Sequence, residues 1–405
     1  MLSLAARAVE SRLNTDTSDH GGPTLPCPCG KPAHYAGRRS KSFETVLGLL
    51  VLERAYYHCE PCQSGFCPRD ALLGFDEQAL SPAVLRMVGH VGALVSFREG
   101  HELLRDLAGV SVSAKQVERA AEELGREIAA DEKAVVVPDV PAAPTMYLGV
   151  DGTGVPMRKA ETRDRAGKQP DGSAKTREAK LCTIWSAEGH DKEGAPMRDE
   201  GSVSYSAAIE SAAQKDMDKV PSEFAARMER EAKRRGFDRA QRQVVLGDGA
   251  AWIWNTVTER FPAATQIVDL FHAKGHLWDA AKSVFGVESE MGAQWGKQQR
   301  DDLEDGKIDK VLAALAVHSG SDEQARKCAD YISRNRVRMR YPEFRSAGFC
   351  VTTGVVEAGC KVAIGTRLKR AGMHWTVAGA DAVIALRCCR LSGRFEDFWE
   401  RRVAA

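Results

Sequence analysis

Two aspartates close apolar runs in this chain. Asp151 follows Met146–Val150 in "MYLGVDGTGVPM", and Asp248 follows Val244–Gly247 in "VVLGDGAAWIW". Asp-Gly is by itself a hairpin signal, and a plain turn accommodates Asp151, because another strand comes later. It does not accommodate Asp248: Trp252, Ile253, Val257 and Phe261 fall at helical spacing directly after it, so a strand runs straight into a helix. A carboxylate at the carboxyl end of a central strand lies where ligands approach an α/β sheet. Two such carboxylates on neighbouring strands repel unless a cation lies between them. Hard oxygen ligands with open positions suit Mg²⁺ or Mn²⁺, and two ions of that kind can polarise a phosphodiester, activate the attacking oxygen and stabilise the leaving one.

A third carboxylate completes a site of this type. One candidate is Glu357 in "TTGVVEAGCKVAIGTRLKR"; it shares a helical face with Ile364 and Leu368, which turns it toward the protein body. The plain alternative is a surface pair with Lys361, worth about 0.2–0.5 kcal/mol. The other candidate is Asp269 in "IVDLFHAKGH", three residues before His272 and seven before His276. Asp269 and His272 read either as a helix cap with its bonded partner or as organisers of the edge of the metal site. An Asp/His/His zinc site is a weaker reading, because it lacks an evident fourth ligand.

The surrounding pattern supplies elements to carry these residues. Strands are expected at Met146–Val150, in "KLCTIWS", around Ser202–Ser206, at Gln243–Leu246 and around Thr265–Val268. A long amphipathic helix over Ala207–Arg235 and a helix from Ala250 fall between them, a mixed α/β order. Upstream, residues from about 80 to 130 look helical. Leu103, Leu104 and Leu107 precede an "AGV" turn, Ser113 and Gln116 form a capping box, and Val117, Ala121, Leu124 and Ile128 mark one buried face. This is the pattern of a helix-turn-helix, or of a simple helical hairpin. The acidity of the second helix, with Glu118, Glu122, Glu123 and Glu127, weakens the case that it enters a DNA groove.

The chain has 405 residues, 43% hydrophobic and 28% charged, the balance of a globular protein of two or three units. Its longest apolar runs fall short of the ~18–20 residues that span a bilayer, and no signal-peptide pattern opens it, so a cytoplasmic protein without membrane association is expected. With 57 basic and 56 acidic residues, no overall field favours nucleic acid, and any DNA contact must come from local patches. One candidate patch is Lys361–Arg402, where nine Lys or Arg face four Asp or Glu. Eleven cysteines are an odd number in a long chain, and five of them cluster between Cys27 and Cys67; reduced thiols and a local metal site fit this better than a disulfide scaffold. Two short strands, Glu44–Gly48 and Leu49–Tyr57, are expected between the cysteine pairs.

The segments "YLGVDGTGVPMR", "VVLGDGAAWIW", "VDLFHAKGHLWDAA" and the long "TTGVVEAGCKVAIGTRLKRAGMHWTVAGADAVIALRCCRLSGRFEDFW" resemble transposases of ISKra-type bacterial insertion sequences. The resemblance runs from the cysteine cluster to the last residues. It implies an RNase H-like catalytic core, α/β in class, with a DDE triad that carries over as Asp151, Asp248 and Glu357. Asp269 and His272 match its Asp-x-x-His motif. The implied reaction is divalent-metal-dependent cleavage at the element's terminal inverted repeats, followed by attack of the freed 3′-hydroxyl on target DNA. The implied partners are those DNAs and a second copy of the chain, and the implied location is the cytoplasm, with the nucleoid when DNA is bound. Lys361, Arg367, Lys369 and Arg370 follow the glutamate and are expected to hold phosphates, and Trp375 to stack on a base; the plain alternatives are solvated helix surface and core.

Two departures stand out. Thr353 replaces the family's serine, retaining a hydroxyl. The first cysteine pair is Cys27-Pro-Cys29 rather than C-x-x-C, so a zinc ribbon on Cys27, Cys29, Cys59 and Cys62 has Cys67 as an alternative ligand. The expected organisation is a flexible tail over 1–22, a zinc-ribbon-like module over 23–72, a helix-turn-helix-like region over 73–130 and a linker over 131–145. The first part of the core follows over 146–282, a helical insertion over 283–349, and the glutamate helix with C-terminal helices over 350–405. The competing readings are a transposase-derived DNA-binding protein without catalysis and an RNase H-like nuclease without strand transfer.

Overall fold

A strand as apolar as Met146–Val150 is buried on both faces only at the centre of a covered sheet, and the computed structural model places it there. The structure describes residues 2–404 except 76–78, 135–140, 164, 168, 193, 195, 213–221 and 353. Pro138, within the expected linker, and Thr353 therefore lie outside the described residues. The chain forms two units, Met1–Asp131 with Arg394–Ala405, and Glu132–Gly393.

The first unit begins with α1 (Leu2–Thr15) and a four-stranded antiparallel sheet, β1 (Thr24–Pro26), β2 (Pro32–Thr45), β3 (Gly48–Cys59) and β4 (Ser64–Phe66). Within residues 1–22, read from sequence as a flexible tail, Glu10, Asn14 and Asp19 are bonded to β3. Glu10 accepts from the Val51 amide at 2.7 Å, and Asn14 accepts from the Glu53 amide and donates to the Val51 carbonyl, both at 2.9 Å. These contacts satisfy an edge that would otherwise offer unpaired backbone groups. Buried Asp19 then accepts the Ala55 amide at 2.7 Å and pairs with Arg38 and Arg69. The hairpin β2–β3 is also longer than expected: it turns at Thr45–Gly48, not at Gly48–Leu49.

Helices α2 (Pro68–Leu72), α3 (Pro82–Leu94), α4 (Phe97–Ala108) and α5 (Ala114–Ala134) follow. The Ser113–Gln116 capping box forms as its spacing predicts, and a second one, Ser96–Glu99, opens α4. Val117, Ala121, Leu124 and Ile128 are buried, whereas of the three leucines on α4 only Leu104 is. The helix Phe395–Ala404 belongs to this unit and not with the glutamate helix: the Phe395 ring packs tilted against His90, centroids 4.6 Å apart, and Arg402 pairs with Glu127 at 2.6 Å.

The second unit is built on a mixed five-stranded sheet. Its members are β5 (Thr145–Pro156), β6 (Thr176–Ser186), a separate small hairpin β7 (Gly189–His190) and β8 (Pro196–Met197), then β9 (Ser204–Ala208), α6 (Glu223–Arg235), β10 (Arg242–Gly247), α7 (Ala251–Arg260) and β11 (Thr265–Val268). The order is β11-β10-β5-β6-β9; β10 and β11 run parallel to β5, β6 is antiparallel to β5, and β9 is antiparallel to β6. The long helix expected over Ala207–Arg235 is not continuous, because Ala207 and Ala208 complete the edge strand against Leu181 and Lys180. Four helices and a short fifth come next, α8 (Leu270–Phe285), α9 (Glu290–Glu304), α10 (Ile308–Ser319), α11 (Glu323–Asn335) and α12 (Tyr341–Ser346). Their apolar faces, including Leu277, Leu303, Leu315 and Ile332, join the same core as the sheet.

After them the chain returns to the sheet through α13 (Gly354–Gly359), a π-helical turn Cys360–Gly365, α14 (Thr366–Leu368) and α15 (Val377–Leu391). Gly149 makes this return close: a Cβ there would lie 2.0 Å from Val356 and 2.9 Å from Trp185. We expect Gly149→Ala to cost about 1–3 kcal/mol through overpacking, seen as a lowered melting temperature. Adding Val356→Ala should recover part of that loss; a double variant no more stable than the single one would refute the account.

Candidate active site and metal centres

Register converts three separate motifs into one cluster. Parallel pairing of β5, β10 and β11 ends on the row Val150, Gly247, Val268, and the next residue on each chain is an aspartate: Asp151, Asp248 and Asp269. Each has one oxygen on a backbone amide: Asp151 on Gly152 at 2.6 Å, Asp248 on Ala250 at 2.8 Å and Asp269 on His272 at 2.6 Å. The last bond makes Asp269 the N-cap of α8. Asp151 does not end its strand, as the sequence suggests; β5 continues to Pro156 along β6, and it is the neighbour β10 that stops.

The three aspartates line a cavity of about 440 Å³ together with Glu357, His272, His276 and Asp279. Glu357 reaches it from α13, which the missing side chains of Gly149 and Gly359 let down onto β5 and β6. The expectation that Glu357 shares a buried face with Ile364 and Leu368 fails. Ile364 and Leu368 are buried but Glu357 is exposed, because the π-helical turn between them breaks the 3.6-residue phase. Asp279 was not found from sequence, although Asp269, His272, His276 and Asp279 stand at steps of three, four and three, the spacing of one helical face.

The loop after β10 is held from the helical segment. The Tyr331 hydroxyl donates to the Asp248 carbonyl at 2.7 Å, and Asn335 donates to the Gly249 carbonyl at 3.3 Å. Gly249 takes φ +95°, and a side chain there would strike Tyr331. Burial pushes the Asp151 carboxyl above its ordinary pKa, with the charge of Asp248 adding to the rise; the Gly152 amide, the Cys360 thiol and His272 oppose it. Burial, followed by the charge of His272, lowers the pKa of His276.

Of the residues expected to hold DNA, Lys361, Lys369 and Arg370 are exposed, and Lys369 bonds to the Thr153 hydroxyl on β5. Arg367 and Trp375 are not available in this way. Arg367 is fully buried, with its guanidinium 5.3 Å from the Trp375 ring centre, and the Trp375 indole donates to the Leu368 carbonyl at 3.0 Å. Both positions are core, since the turn after α14 folds back over them.

Cys27, Cys29, Cys59 and Cys62 bring their sulfurs within 4.8 Å of one another, with Cys27–Cys62 and Cys29–Cys59 at 3.6 Å. Four thiolates around Zn²⁺ at ~2.3 Å stand roughly 3.8 Å apart, so the set fits that ion. The shortened Cys27-Pro-Cys29 spacing is thus compatible with a four-sulfur group, and Cys67 lies outside it. The Ser64 hydroxyl and amide pull the Cys62 thiol down to about 6. The Cys62 amide also pulls on Cys59, but burial and the neighbouring thiols push that group up to about 12.

Comparison with protein-family models gives no match, and comparison with curated proteins gives none either. Among solved structures the chain is similar to the Drosophila P element transposase strand transfer complex, at 11% identity and a TM-score of 0.29, over 82% of this chain and 83% of that one. A likeness at that identity and score carries no argument for fold or activity. Among the described residues no helix is long and apolar enough to cross a membrane.

Two outcomes follow. A carboxyl whose folded pKa is raised leaves stability unaffected below the unfolded value of ~3.9 and weakens the fold as pH climbs through the folded value. Asp151→Asn should therefore raise the melting temperature of metal-free protein at pH 7 but not at pH 3, and added Mg²⁺ should stabilise the parent more than the variant; equal effects at both pH values would contradict the cause given. Elemental analysis should find one zinc per chain, lost in Cys59→Ser with a lowered melting temperature; a stoichiometric zinc content in that variant would dismiss the four-sulfur site.

Proposed function

We propose that the chain is a DDE-type DNA transposase with an RNase H-like core, related to the ISKra-type enzymes its motifs resemble. The strand order supports the core assignment: β5 is central, an antiparallel meander β5-β6-β9 extends to one side, and β10 and β11 run parallel to β5 on the other. The observation that carries the reading is the row Asp151, Asp248, Asp269 opening with Glu357 into one cavity. Like charges brought together in this way need cations to balance them, and an all-oxygen donor set suits Mg²⁺ or Mn²⁺.

Asp151, Asp248 and Glu357 would hold the two ions, and Asp269 would support the site from the start of α8. When bound, the ions supply Lewis-acid stabilisation of the phosphodiester and lower the pKa of the attacking group. Asp151 and Asp248 contribute fixed orientation, since each is tethered through an amide and costs little reorganisation. His272 stands exposed beside them, while Lys361, Lys369 and Arg370 supply exposed charge for the DNA backbone. The four-cysteine module and the α4–α5 pair are assigned to recognition of the terminal inverted repeats, and a pair of chains to bridging two ends.

The test uses full-length protein, Mg²⁺ and duplex DNA carrying the inverted repeats that flank its gene. Nicking at the repeat ends followed by joining to target DNA is expected. Asp248→Asn should lower the nicking rate at least about 10²–10³-fold, and Asp269→Asn about 10–100-fold. Binding without nicking would leave a DNA-binding protein, nicking without joining a nuclease, and nicking that survives Asp248→Asn would move the site elsewhere.

A further inference from the structure

A second cavity, of about 490 Å³, opens beside the carboxylates; Trp254, Asn255, His276, Tyr331, Arg334 and Arg338 line it. It shares Asp248, His272 and His276 with the first, so one extended ligand can occupy both. Its two arginines differ from their neighbours. Arg336 pairs with Asp309 and Arg340 with Glu343, each at 2.7 Å. Neither Arg334 nor Arg338 has a carboxylate partner among the described residues; Arg334 bonds through Nε to the Asp330 carbonyl at 3.2 Å, and Arg338 through Nε to Gln266 at 2.7 Å.

Arg338 is also held in place. Its guanidinium carbon lies 4.9 Å from the Trp254 ring centre, and it is half-buried, with burial pulling its pKa down and no anion opposing that pull. A fixed, partly desolvated cation without a counter-charge is a poor stabilising element but a ready anion receptor, and its planar fork matches a phosphate. The neighbouring cavity has the opposite difficulty, because its five carboxylates repel a polyanion. A strand lying across both cavities resolves the two together.

We propose that the second cavity is a phosphate subsite for the DNA strand whose scissile bond lies at the carboxylates: Arg334 and Arg338 take a neighbouring phosphodiester of that strand, and its nucleoside lies against the Tyr331–His276 wall. The proposal rests on the nuclease reading above. Its contribution is to anchor the strand beside a negatively charged centre.

The experiment measures binding of a labelled inverted-repeat duplex with a single-stranded end, in Ca²⁺ and without turnover, against salt concentration. Each phosphate contact contributes about 0.7–0.9 to the slope of log K against log salt. R334Q/R338Q, which removes both ligands of that one phosphate, should therefore flatten the slope by about 0.7–0.9, while R334K/R338K keeps most of it and Arg336→Gln leaves it unchanged. Melting curves monitor folding of each variant. An unchanged slope in R334Q/R338Q, or a parent protein that does not bind this DNA, overturns the subsite. So does a double variant that loses inorganic phosphate but keeps the full DNA slope, since the arginines would then serve a free anion. The nuclease reading fails separately, on nicking by Asp248→Asn in Mg²⁺, and the binding slope does not depend on that result.

Discussion

Repulsion among carboxylates is the constraint that the second unit answers. Five acidic side chains open into one cavity, and like charges gathered in this way raise one another's cost of ionisation. The fold holds three of them, Asp151, Asp248 and Asp269, with hydrogen bonds from the nearby backbone: the amides of Gly152, Ala250 and His272 each fix one carboxylate oxygen. These amides belong to the residues that follow each aspartate, so the tether is local. The register of the sheet is not local, and it is what puts the three tethers side by side.

The rest of the unit maintains that register and its approach routes. Gly149 permits Val356 to sit against β5, and with it Glu357 comes over the row from a distant part of the chain. Tyr331 and Asn335 clasp the loop after β10 through its carbonyls, so the helical segment helps to determine where Asp248 stands. The π-helical turn after Gly359 then lets Glu357 be exposed to the cavity while Ile364 and Leu368 remain buried. A regular helix would oblige all three to share a face.

Much of this is legible in the sequence where hydrophobic pattern and local chemistry agree. The strands ending before Asp248 and Asp269 are apolar and bounded, and their positions hold to within a residue or two. The extent of β5 is not legible, because Gly152 and Gly154 look like a loop although β6 pairs with them. Ala207 and Ala208 favour a helix intrinsically, and only the open edge of β6 makes them strand. The exposed, charged residues of β2 hide a long hairpin for a similar reason: its second strand, not its own composition, stabilises it. Arg367 and Trp375 show the limit for side chains. Their types suit a nucleic-acid surface, but cation–π packing and an indole hydrogen bond satisfy them inside.

The first unit joins two stretches of chain that stand on either side of the whole of the second. Phe395 fills the space left by the side chain that Gly89 lacks, and Arg401 and Arg402 pair with Asp131 and Glu127. During synthesis, then, the usual sequence in which the earlier unit matures first is reversed. Residues 132–393 have every contact partner of their own sheet before the segment that closes the first unit has been made. The cysteine module and its neighbouring helices emerge early yet lack their last helix until translation has passed residue 404. A ribosome pausing within residues 132–393 would hold the first unit incomplete, with Gly89 and the α5 acids waiting for partners still unmade.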